Sequence, residues 1–268
     1  MGNIPDDTMK TFCFTVDDNI RFLKEIAQDR PESIFDHPYL AMYRRLHREY
    51  GVKVQLNLFY RLGDFELSQM PDAYRREWAE NADWLKLSFH ADYEKEDPYI
   101  LSGYEEVYED CRKVHENIIR FAAPAALAKT TTIHWCQTTE DGVRALADLG
   151  IKGLLGLFGS SQNPKTSYSI GEEQAKELRR GKTLKIGEVY FAAIALVLNN
   201  YSKEEILEKL GTILERDAIK VMIHEQYFYS DYPAYQRDFE EKLGACFAFL
   251  NHKGYVSCLF EDVIGECH

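Results

Sequence analysis

The segment TFCFTVDD, residues 11–18, decides how the rest of this sequence is interpreted. Its apolar residues predict a short buried strand that ends at two adjacent carboxylates, Asp17 and Asp18. In folds where strands and helices alternate, active sites form at the carboxyl ends of the strands. One carboxylate of such a pair can bind a cation while the other accepts a proton. The structural alternative is a cap, because Asp is a favoured helix N-cap and a helix is predicted to begin at Asn19.

The composition of the 268 residues indicates a globular protein that does not bind polyanions. The net charge of −12 argues against nucleic acid and against anionic membranes, since both need a cationic face. The polar N-terminus lacks the apolar stretch of a signal peptide, and the longest apolar run, 191–198, is too short to span a bilayer. The six cysteines include no C-x-x-C pair, a pattern typical of reduced core thiols. We therefore expect a cytoplasmic protein.

Strand patterns and helix patterns alternate along the whole chain. After the first strand, six further strands are predicted, with amphipathic helices between them, at 52–60, 84–90, 129–134, 153–158, 219–224 and 254–260. The region around 159–200 is less regular and is predicted to be an insertion, with a strand or hairpin at 188–191. The alternation implies an α/β domain spanning residues 1–268, with parallel strands and right-handed crossovers. An open doubly wound sheet and a closed barrel both fit this pattern.

Carboxylate or imidazole side chains stand at the ends of four of the predicted strands. The first strand ends at Asp17 and Asp18, and three others end at His90, His134 and His224. In a barrel these ends converge at one mouth, whereas in an open sheet they lie in a row. A single histidine is more often a core or surface residue. Three at equivalent positions, together with an aspartate pair, favour a metal or acid–base site.

The order of these motifs resembles that of the NodB-type polysaccharide deacetylases, a superfamily of carbohydrate esterases. T-V-D-D at 15–18 is similar to the family's first motif, T-F-D-D, and H-A-D-Y-E at 90–94 stands where the family carries H-S/T-x-x-H. M-I-H at 222–224 is similar to its final L-x-H motif. The resemblance covers the whole chain and implies a NodB-like, distorted (β/α)7 barrel in a single domain.

The resemblance also implies a role for each matching residue. Asp17 is expected to be the general base and His224 the general acid, while Asp18 and His90 bind a divalent metal ion, with zinc as the expected ion. The metal would polarise an amide or ester carbonyl and lower the pKa of bound water. Asp17 would accept the proton of that water, and protonated His224 would donate one to the leaving nitrogen.

Three departures from the family pattern indicate a divergent member. Glu94 replaces the last histidine of the second motif, so the remaining metal ligand is Glu94 itself or His134, unless Glu94 is only a solvated acid. The R-x-P-Y motif expected after the fourth strand reads H-W-C-Q at 134–137, so the arginine that steadies the base is missing. Arg61 is a candidate replacement, although an exposed arginine is the alternative. Val16 in place of Phe is a minor change.

Residues beside the site strands are candidates for binding a substrate. Trp135, Tyr227 and Tyr229 can stack on the apolar face of a sugar ring, and packing within a loop is the alternative for each. Glu225 follows His224 directly, and it is either an additional acid or points the other way, as neighbours on a strand do. The expected partner is therefore a small-molecule or carbohydrate substrate.

Three functions remain compatible with these residues. The leading hypothesis is a metal-dependent hydrolase of amide or ester bonds that deacetylates a carbohydrate or a small N-acyl substrate. A second is a metal-free barrel glycoside hydrolase that uses Asp17 or Asp18 with Glu225 on the two sides of the sugar. A third is a catalytically silent barrel that binds a sugar, which the altered motifs make credible.

Overall fold

Strands and helices alternate, as the sequence predicts, in a computed structural model that describes residues 9–94, 99–159 and 167–265. The strands are β1 (Thr11–Asn19), β2 (Val54–Phe59), β3 (Arg61–Leu62), β4 (Phe65–Glu66), β5 (Leu85–Ala91), β6 (Thr130–Thr131), β7 (Gly153–Gly156), β8 (Thr183–Ile186), β9 (Val189–Ala193), β10 (Leu196–Val197), β11 (Ala218–His224) and β12 (Val256–Ser257). The α-helices are α1 (Arg21–Asp29), α2 (Pro38–Tyr50), α3 (Arg75–Glu80), α4 (Tyr104–Ala122), α5 (Glu140–Asp148), α6 (Glu172–Arg179), α7 (Lys203–Gly211), α8 (Phe239–His252) and α9 (Phe260–Gly265).

The parallel strands follow one another around a distorted barrel. One sheet has the order β10-β11-β1-β2-β5, and a second has the order β6-β7-β9-β8. The chain runs from β9 directly into β10, which pairs with β11 and so connects the second sheet back to the first. Counting β9 and β10 as one strand, the ring contains seven. The structure thus confirms the (β/α)7 architecture that the resemblance implied.

The seam between β5 and β6 is joined mainly by side chains. The backbone amide of Ala128 donates to the carbonyl of Leu87 at 2.9 Å. The hydroxyl of Ser88 donates to the carbonyl of Thr130 at 2.8 Å, and that of Thr131 donates to the carbonyl of Phe89. These bonds hold the end of β5 close to the short β6, which brings His90 near the turn that follows β6.

The sixth barrel strand lies where an insertion was expected. Within the region around 159–200, β9 pairs in parallel with β7, and β8 pairs antiparallel with β9 as a hairpin. The strand predicted at 254–260 is shorter and lies outside the ring: β12 pairs only with the start of β1, and α9 follows it. The prediction of seven strands in the barrel is therefore confirmed, but the assignment of the strand at 254–260 to the barrel was wrong. A short apolar run does not show by itself whether a strand belongs to the ring.

Two further boundaries differ from the prediction. The fourth strand was predicted at 129–134, but only Thr130–Thr131 pair, and the chain then turns through the 3-10 segment His134–Cys136. The sequence also indicates a helix that begins at Pro71, because Pro suits the first helical position, but the helix begins at Arg75. His134 therefore stands in a turn after the strand, which gives its side chain an approach to the mouth that a straight strand would not.

Polar and apolar residues alternate along β2, so the strand has one polar face and one apolar face, and both are buried. All six residues of β2 are buried, although the pattern of polar and apolar residues resembles that of a half-exposed strand. Its apolar residues belong to the main hydrophobic core, in which the described helices pack on the strands. Gln55 points to the other face, where it donates to Asn57 at 2.8 Å and to the carbonyl of Thr130 at 3.0 Å. The barrel interior is therefore polar near the mouth.

The helices confirm the amphipathic patterns of the sequence. In α4, Val107, Cys111, Val114 and Ile118 recur at helical spacing and are all buried. The sequence S-K-E-E at 202–205 predicts a capping box, and the start of α7 has it: the Ser202 side chain accepts from the backbone of Glu205. Among the described residues, no helix combines the length and the apolar character needed to cross a bilayer.

Candidate active site

The carboxyl ends of β1, β5 and β11 and the turn after β6 surround a cavity of about 300 Å³ at one mouth of the barrel. Eight of the eleven candidate residues line this cavity: Asp17, Asp18, His90, Glu94, His134, Trp135, His224 and Tyr227. The other three, Arg61, Glu225 and Tyr229, are not part of its lining. The candidate residues at the strand ends therefore converge at one mouth, as a barrel requires.

Asp18, His90 and His134 bring three potential metal-ligand atoms together. Oδ1 of Asp18 lies 3.0 Å from Nε2 of His90 and 3.4 Å from Nδ1 of His134, and the two ring nitrogens are 3.2 Å apart. With metal–ligand distances of about 2.0–2.1 Å, neighbouring ligand atoms of a tetrahedral zinc site are roughly 3.3–3.4 Å apart. The spacing of these atoms fits a small divalent cation.

The hydrogen bonds of His90 also fit a cation at this point. Its Nδ1 lies 2.5 Å from the carbonyl oxygen of Thr132, which only accepts, so Nδ1 carries a proton. The lone pair of Nε2 in neutral His90 then faces Oδ1 of Asp18, and these two acceptors repel unless a proton or a cation lies between them. A backbone carbonyl is a common partner that orients a metal-binding imidazole. Burial acts to lower the pKa of His90, but the charges of Asp17 and Asp18 outweigh it and raise that pKa.

Asp18 occupies an unusual backbone conformation. Its φ is 63°, in the left-handed region that residues other than Gly rarely adopt, and the pairing of β1 with β2 shifts register between Val16 and Asn19. Its second oxygen accepts from Nε2 of Gln226 at 2.8 Å. Burial acts to raise the pKa of Asp18, but hydrogen bonds from His134 and His90 hold that pKa well below its usual value. Asp18 is therefore a fixed carboxylate.

Asp17 lies beside this group and is 2% exposed. Its Oδ1 accepts from Nδ2 of Asn57 at 2.7 Å, and Oδ1 of Asn57 accepts in turn from Gln55 at 2.8 Å. Burial raises the pKa of Asp17, while the nearby imidazoles of His90 and His224 oppose that rise. A carboxylate that is held in position and has a raised pKa is suited to accept a proton.

His224 is the register partner of Asp17 on the adjacent strand β11. Its Nδ1 lies 2.8 Å from Oδ1 of Asn199. An amide oxygen only accepts, so Nδ1 donates and Nε2 is left for the cavity. The ring of Tyr227 is tilted against that of His224, with 6.2 Å between the centroids. These contacts fix the orientation of the His224 imidazole at the cavity.

Glu94 is not brought into the ligand group. It is exposed and lines the cavity, but the potential metal ligands among the residues that the structure describes are Asp18, His90 and His134. His134 is therefore the third member of the ligand group, and Glu94 is not part of it. Of the two alternatives for the remaining ligand, the geometry favours His134.

Arg61 does not contact the carboxylate that it was expected to steady. Its Nε donates to Asp92 at 2.9 Å, and its guanidinium lies 4.3 Å from the ring centroid of Tyr93. The hydrogen-bond donor to Asp17 is Asn57 instead. A neutral amide thus holds Asp17, whereas the resemblance implies an arginine in this role.

Glu225 faces the start of α1 and is 1% exposed. Its Oε2 accepts from the backbone amides of Ile20 at 2.7 Å and Arg21 at 3.0 Å, and its Oε1 accepts from Phe22 at 2.8 Å. The hydroxyl of Tyr229 donates to Oε1 at 2.8 Å. The carboxylate at the helix N-terminus is therefore this one, and neither aspartate of β1 is the cap. Burial raises the pKa of Glu225 to about 7, against the effect of its four hydrogen bonds.

Trp135 stands at the rim of the cavity. Its side chain is 59% exposed, its φ is 61°, and its ring centroid lies 5.2 Å from that of His134. A bulky residue with positive φ is unusual. The turn after β6 thus places one side chain, His134, inside the cavity and the next one at its mouth.

Three amide side chains that orient the site are not among the residues predicted from the sequence. Asn57, Asn199 and Gln226 hold the side chains of Asp17, His224 and Asp18, respectively. A signal for Asn57 was present, because polar residues alternate with apolar ones in a strand that the fold buries on both faces. Asn199 lies in the region predicted to be an insertion, where no site residue was expected.

No protein-family model matches this sequence, and no curated protein is significantly similar to it. Solved structures do match. The 4-alpha-glucanotransferase of Thermococcus litoralis has a TM-score of 0.60 at 13% identity, over 96% of this chain and 40% of that chain. A CE4 family pseudoenzyme of Bacillus anthracis has a TM-score of 0.52 at 10% identity, over 95% of this chain and 65% of that one. This chain therefore spans less than two thirds of either protein.

A third structure matches over nearly its whole length. It is the family 4 acetyl xylan esterase of Clostridium thermocellum, in complex with a cobalt ion, with a TM-score of 0.54 at 10% identity over 96% of this chain and 91% of that chain. The likeness confirms the fold that the NodB-type motifs implied: this chain has the fold of the CE4 carbohydrate esterases. At such low identity the likeness concerns the fold alone.

Proposed function

We propose that this protein is a divergent member of the CE4 deacetylases, a metal-dependent hydrolase that removes acyl groups from a carbohydrate or a small N-acyl substrate. The observation that carries the proposal is the group Asp18, His90 and His134, which shares one cavity with Asp17 and His224. A fold shared with an esterase that holds a cobalt ion supports it. The bond cleaved is an amide or an ester.

Asp18, His90 and His134 would hold the cation, for which zinc is the expected identity because imidazole and carboxylate are among its usual ligands. When bound, a divalent cation polarises a carbonyl oxygen and lowers the pKa of water. Thr132 keeps the His90 ring in one tautomer, and Gln226 fixes the carboxylate of Asp18. These outer contacts set the orientation of the ligand atoms before a cation arrives.

Asp17 and His224 would move the two protons that hydrolysis requires. Asp17, buried and held by Asn57, accepts the proton of the attacking water. His224 donates through Nδ1 to Asn199, so its protonated Nε2 can give a proton to the leaving nitrogen or oxygen. Because the two residues are register partners on adjacent strands, acceptor and donor face the same bound substrate.

The cavity lining is compatible with an acylated sugar. Leu157, Val197 and Met222 provide an apolar wall that suits a short acyl group, and Trp135 and Tyr227 offer aromatic faces for a pyranose ring. The cavity of about 300 Å³ is at the small end of ligand sites, so one sugar unit with its acyl group is the expected occupant.

The glycoside hydrolase alternative loses its expected second carboxylate. That mechanism needs two carboxyl groups about 5–9 Å apart across the sugar. Glu225 was the candidate partner of Asp17 or Asp18, but its two oxygens accept from backbone amides of α1 and from Tyr229. The remaining carboxylate of the cavity lining is Glu94, which lies at its exposed edge.

Metal content by elemental mass spectrometry tests the proposal first. We expect about one equivalent of a divalent ion in the wild type, loss of that ion in His90→Ala and in His134→Ala, and retention in the control variants Glu94→Ala and His252→Ala. Absence of metal from the wild type after reloading would refute the metal mechanism.

Hydrolysis of acetylated amino sugars, followed by acetate release, tests the chemistry. Activity should disappear with a chelator and return with the ion, and Asp17→Asn should keep the metal while losing turnover. Glycoside cleavage that a chelator does not affect would favour the metal-free alternative. Metal and sugar binding without turnover would favour the catalytically silent barrel.

A further inference from the structure

A pair of cysteines lies in the barrel on the side away from the mouth. Cys13 is near the start of β1, and Cys258 directly follows β12. Their Sγ atoms are 3.5 Å apart. The backbone amide of Cys258 donates to the carbonyl of Phe12 at 2.9 Å, so Cys258 continues the parallel pairing of β12 with β1. Neighbouring strands are about 4.8 Å apart, and a disulfide needs a Cα separation of about 4.4–6.8 Å.

Charged side chains of opposite sign flank the pair. Lys220 is the register partner of Cys13 on β11, and only 2% of its surface is exposed. Its ammonium group acts to lower the pKa of both thiols. The carboxylate of Asp262 acts to raise the pKa of both, and at Cys258 its effect is the larger of the two. A cationic group beside a cysteine is one of the usual causes of thiol reactivity.

The two cysteines differ in acidity and in access. The hydrogen bond with Cys13 lowers the pKa of Cys258, and the same bond, together with burial, raises the pKa of Cys13. Cys258 is partly exposed, whereas Cys13 is buried. Among the other described thiols, burial raises the pKa of Cys111 and Cys136, and that of Cys246 to about 12. Thiolate character and access thus coincide at Cys258.

We propose that Cys13 and Cys258 are a redox-active dithiol that closes to an intrachain disulfide by exchange with a small disulfide such as oxidised glutathione. The thiolate of Cys258 attacks one sulfur of that disulfide and releases one glutathione thiolate, which takes up a proton. Cys13 then loses its proton and attacks Sγ of Cys258, and the mixed disulfide bond breaks to release the second glutathione. Two protein thiols are oxidised, and one glutathione disulfide is reduced to two thiols.

The new bond would connect the C-terminal part of the chain to the strand that carries Asp17 and Asp18. Cys13 belongs to a small apolar cluster with Val197 and Met222, and these two residues also line the cavity. The bond would also close a long chain loop, which raises thermal stability by restricting the unfolded chain. This proposal does not depend on the hydrolase function.

The test is exposure of the folded protein to oxidised glutathione, followed by alkylation of free thiols and peptide mapping by mass spectrometry. We expect a peptide that links Cys13 to Cys258, reversible by dithiothreitol, and a higher melting temperature for the oxidised form. Cys13→Ser should trap a single glutathione on Cys258, and Cys258→Ser should leave Cys13 unmodified. The control variant Cys246→Ser should behave as the wild type does.

Substitution of Lys220 distinguishes a dithiol whose reactivity depends on its charged surroundings from two cysteines that are only close together. Lys220→Met should slow modification of Cys258 about tenfold at neutral pH, the effect of one pKa unit, and Lys220→Arg should restore the rate. The proposal is overturned by free thiols at both positions after oxidation, by preferential modification of Cys111 or Cys246, or by pairing of Cys258 with Cys267. Cys13→Ala replaces Cys13→Ser if the serine variant does not fold.

Discussion

Replacing Glu225 with Gln isolates the energetic role of the carboxylate that caps α1. The amide oxygen can accept from Ile20 and Arg21, and the new NH₂ group can donate to the hydroxyl of Tyr229, but the amide of Phe22 then has no acceptor. At pH 5, well below its pKa of about 7, Glu225 is protonated, and its hydroxyl oxygen can accept from Phe22 while it donates to Tyr229. The amide nitrogen of Gln cannot accept, and a buried amide without a partner costs about 1–3 kcal/mol, so we expect a loss of about 1–3 kcal/mol in unfolding free energy at pH 5.

The difference in unfolding free energy between the wild type and Glu225→Gln should shrink as the pH rises. The pKa of Glu225 is about 7 in the folded protein and 4.5 in the unfolded chain, so the folded state binds more protons between these values. Stability from this group is therefore present below pH 4.5 and is lost as the pH rises through 7. From pH 5 to pH 8 the wild type should lose about 2.5 kcal/mol through Glu225, a loss that Glu225→Gln avoids.

Urea unfolding at pH 5, 6, 7 and 8, followed by circular dichroism, measures both effects. Glu32→Gln is the matched control, because Glu32 is exposed and should change neither the free energy nor its pH slope. Equal pH slopes for wild type and Glu225→Gln would refute the raised pKa. Equal stabilities at pH 5 would refute the role of the Glu225 carboxyl group as the cap of α1.

Four further predictions follow from the site and the core. Asp17→Asn should lower kcat for deacylation at least 100-fold with metal content unchanged, and unchanged kcat would exclude Asp17 as the base. His224→Gln should lower kcat least for substrates with good leaving groups, and an equal loss for all leaving groups would argue against an acid role. Gln226→Ala should weaken metal affinity about 10- to 100-fold in a chelator competition, and unchanged affinity would mean that Asp18 needs no such support. Burial lowers the pKa of His115 to about 4, so between pH 7.5 and pH 5 the wild type should lose about 2 kcal/mol of stability that His115→Leu retains, and equal losses in urea titrations would contradict this.

The alternation of strands and helices was predictable because it depends on local periodicity. The first strand, the long amphipathic α4 and the capping box of α7 all follow from residues that are close in sequence. The positions of Asp17, Asp18, His90 and His224 at strand ends were equally visible. A parallel barrel places the carboxyl ends of its strands at one mouth, so their convergence followed from the fold class.

Only the tertiary structure decided which groups meet at that mouth and which turn away. His134 joins Asp18 and His90 because the chain bends after a two-residue strand, an event with no clear periodic signal. Glu225 turns to the N-terminus of α1, more than 200 residues earlier in the chain, where three backbone amides require an acceptor. Local sequence patterns do not encode which distant backbone group a carboxylate will satisfy. That choice depends on how the strands pack around the barrel, which is a property of the folded chain alone.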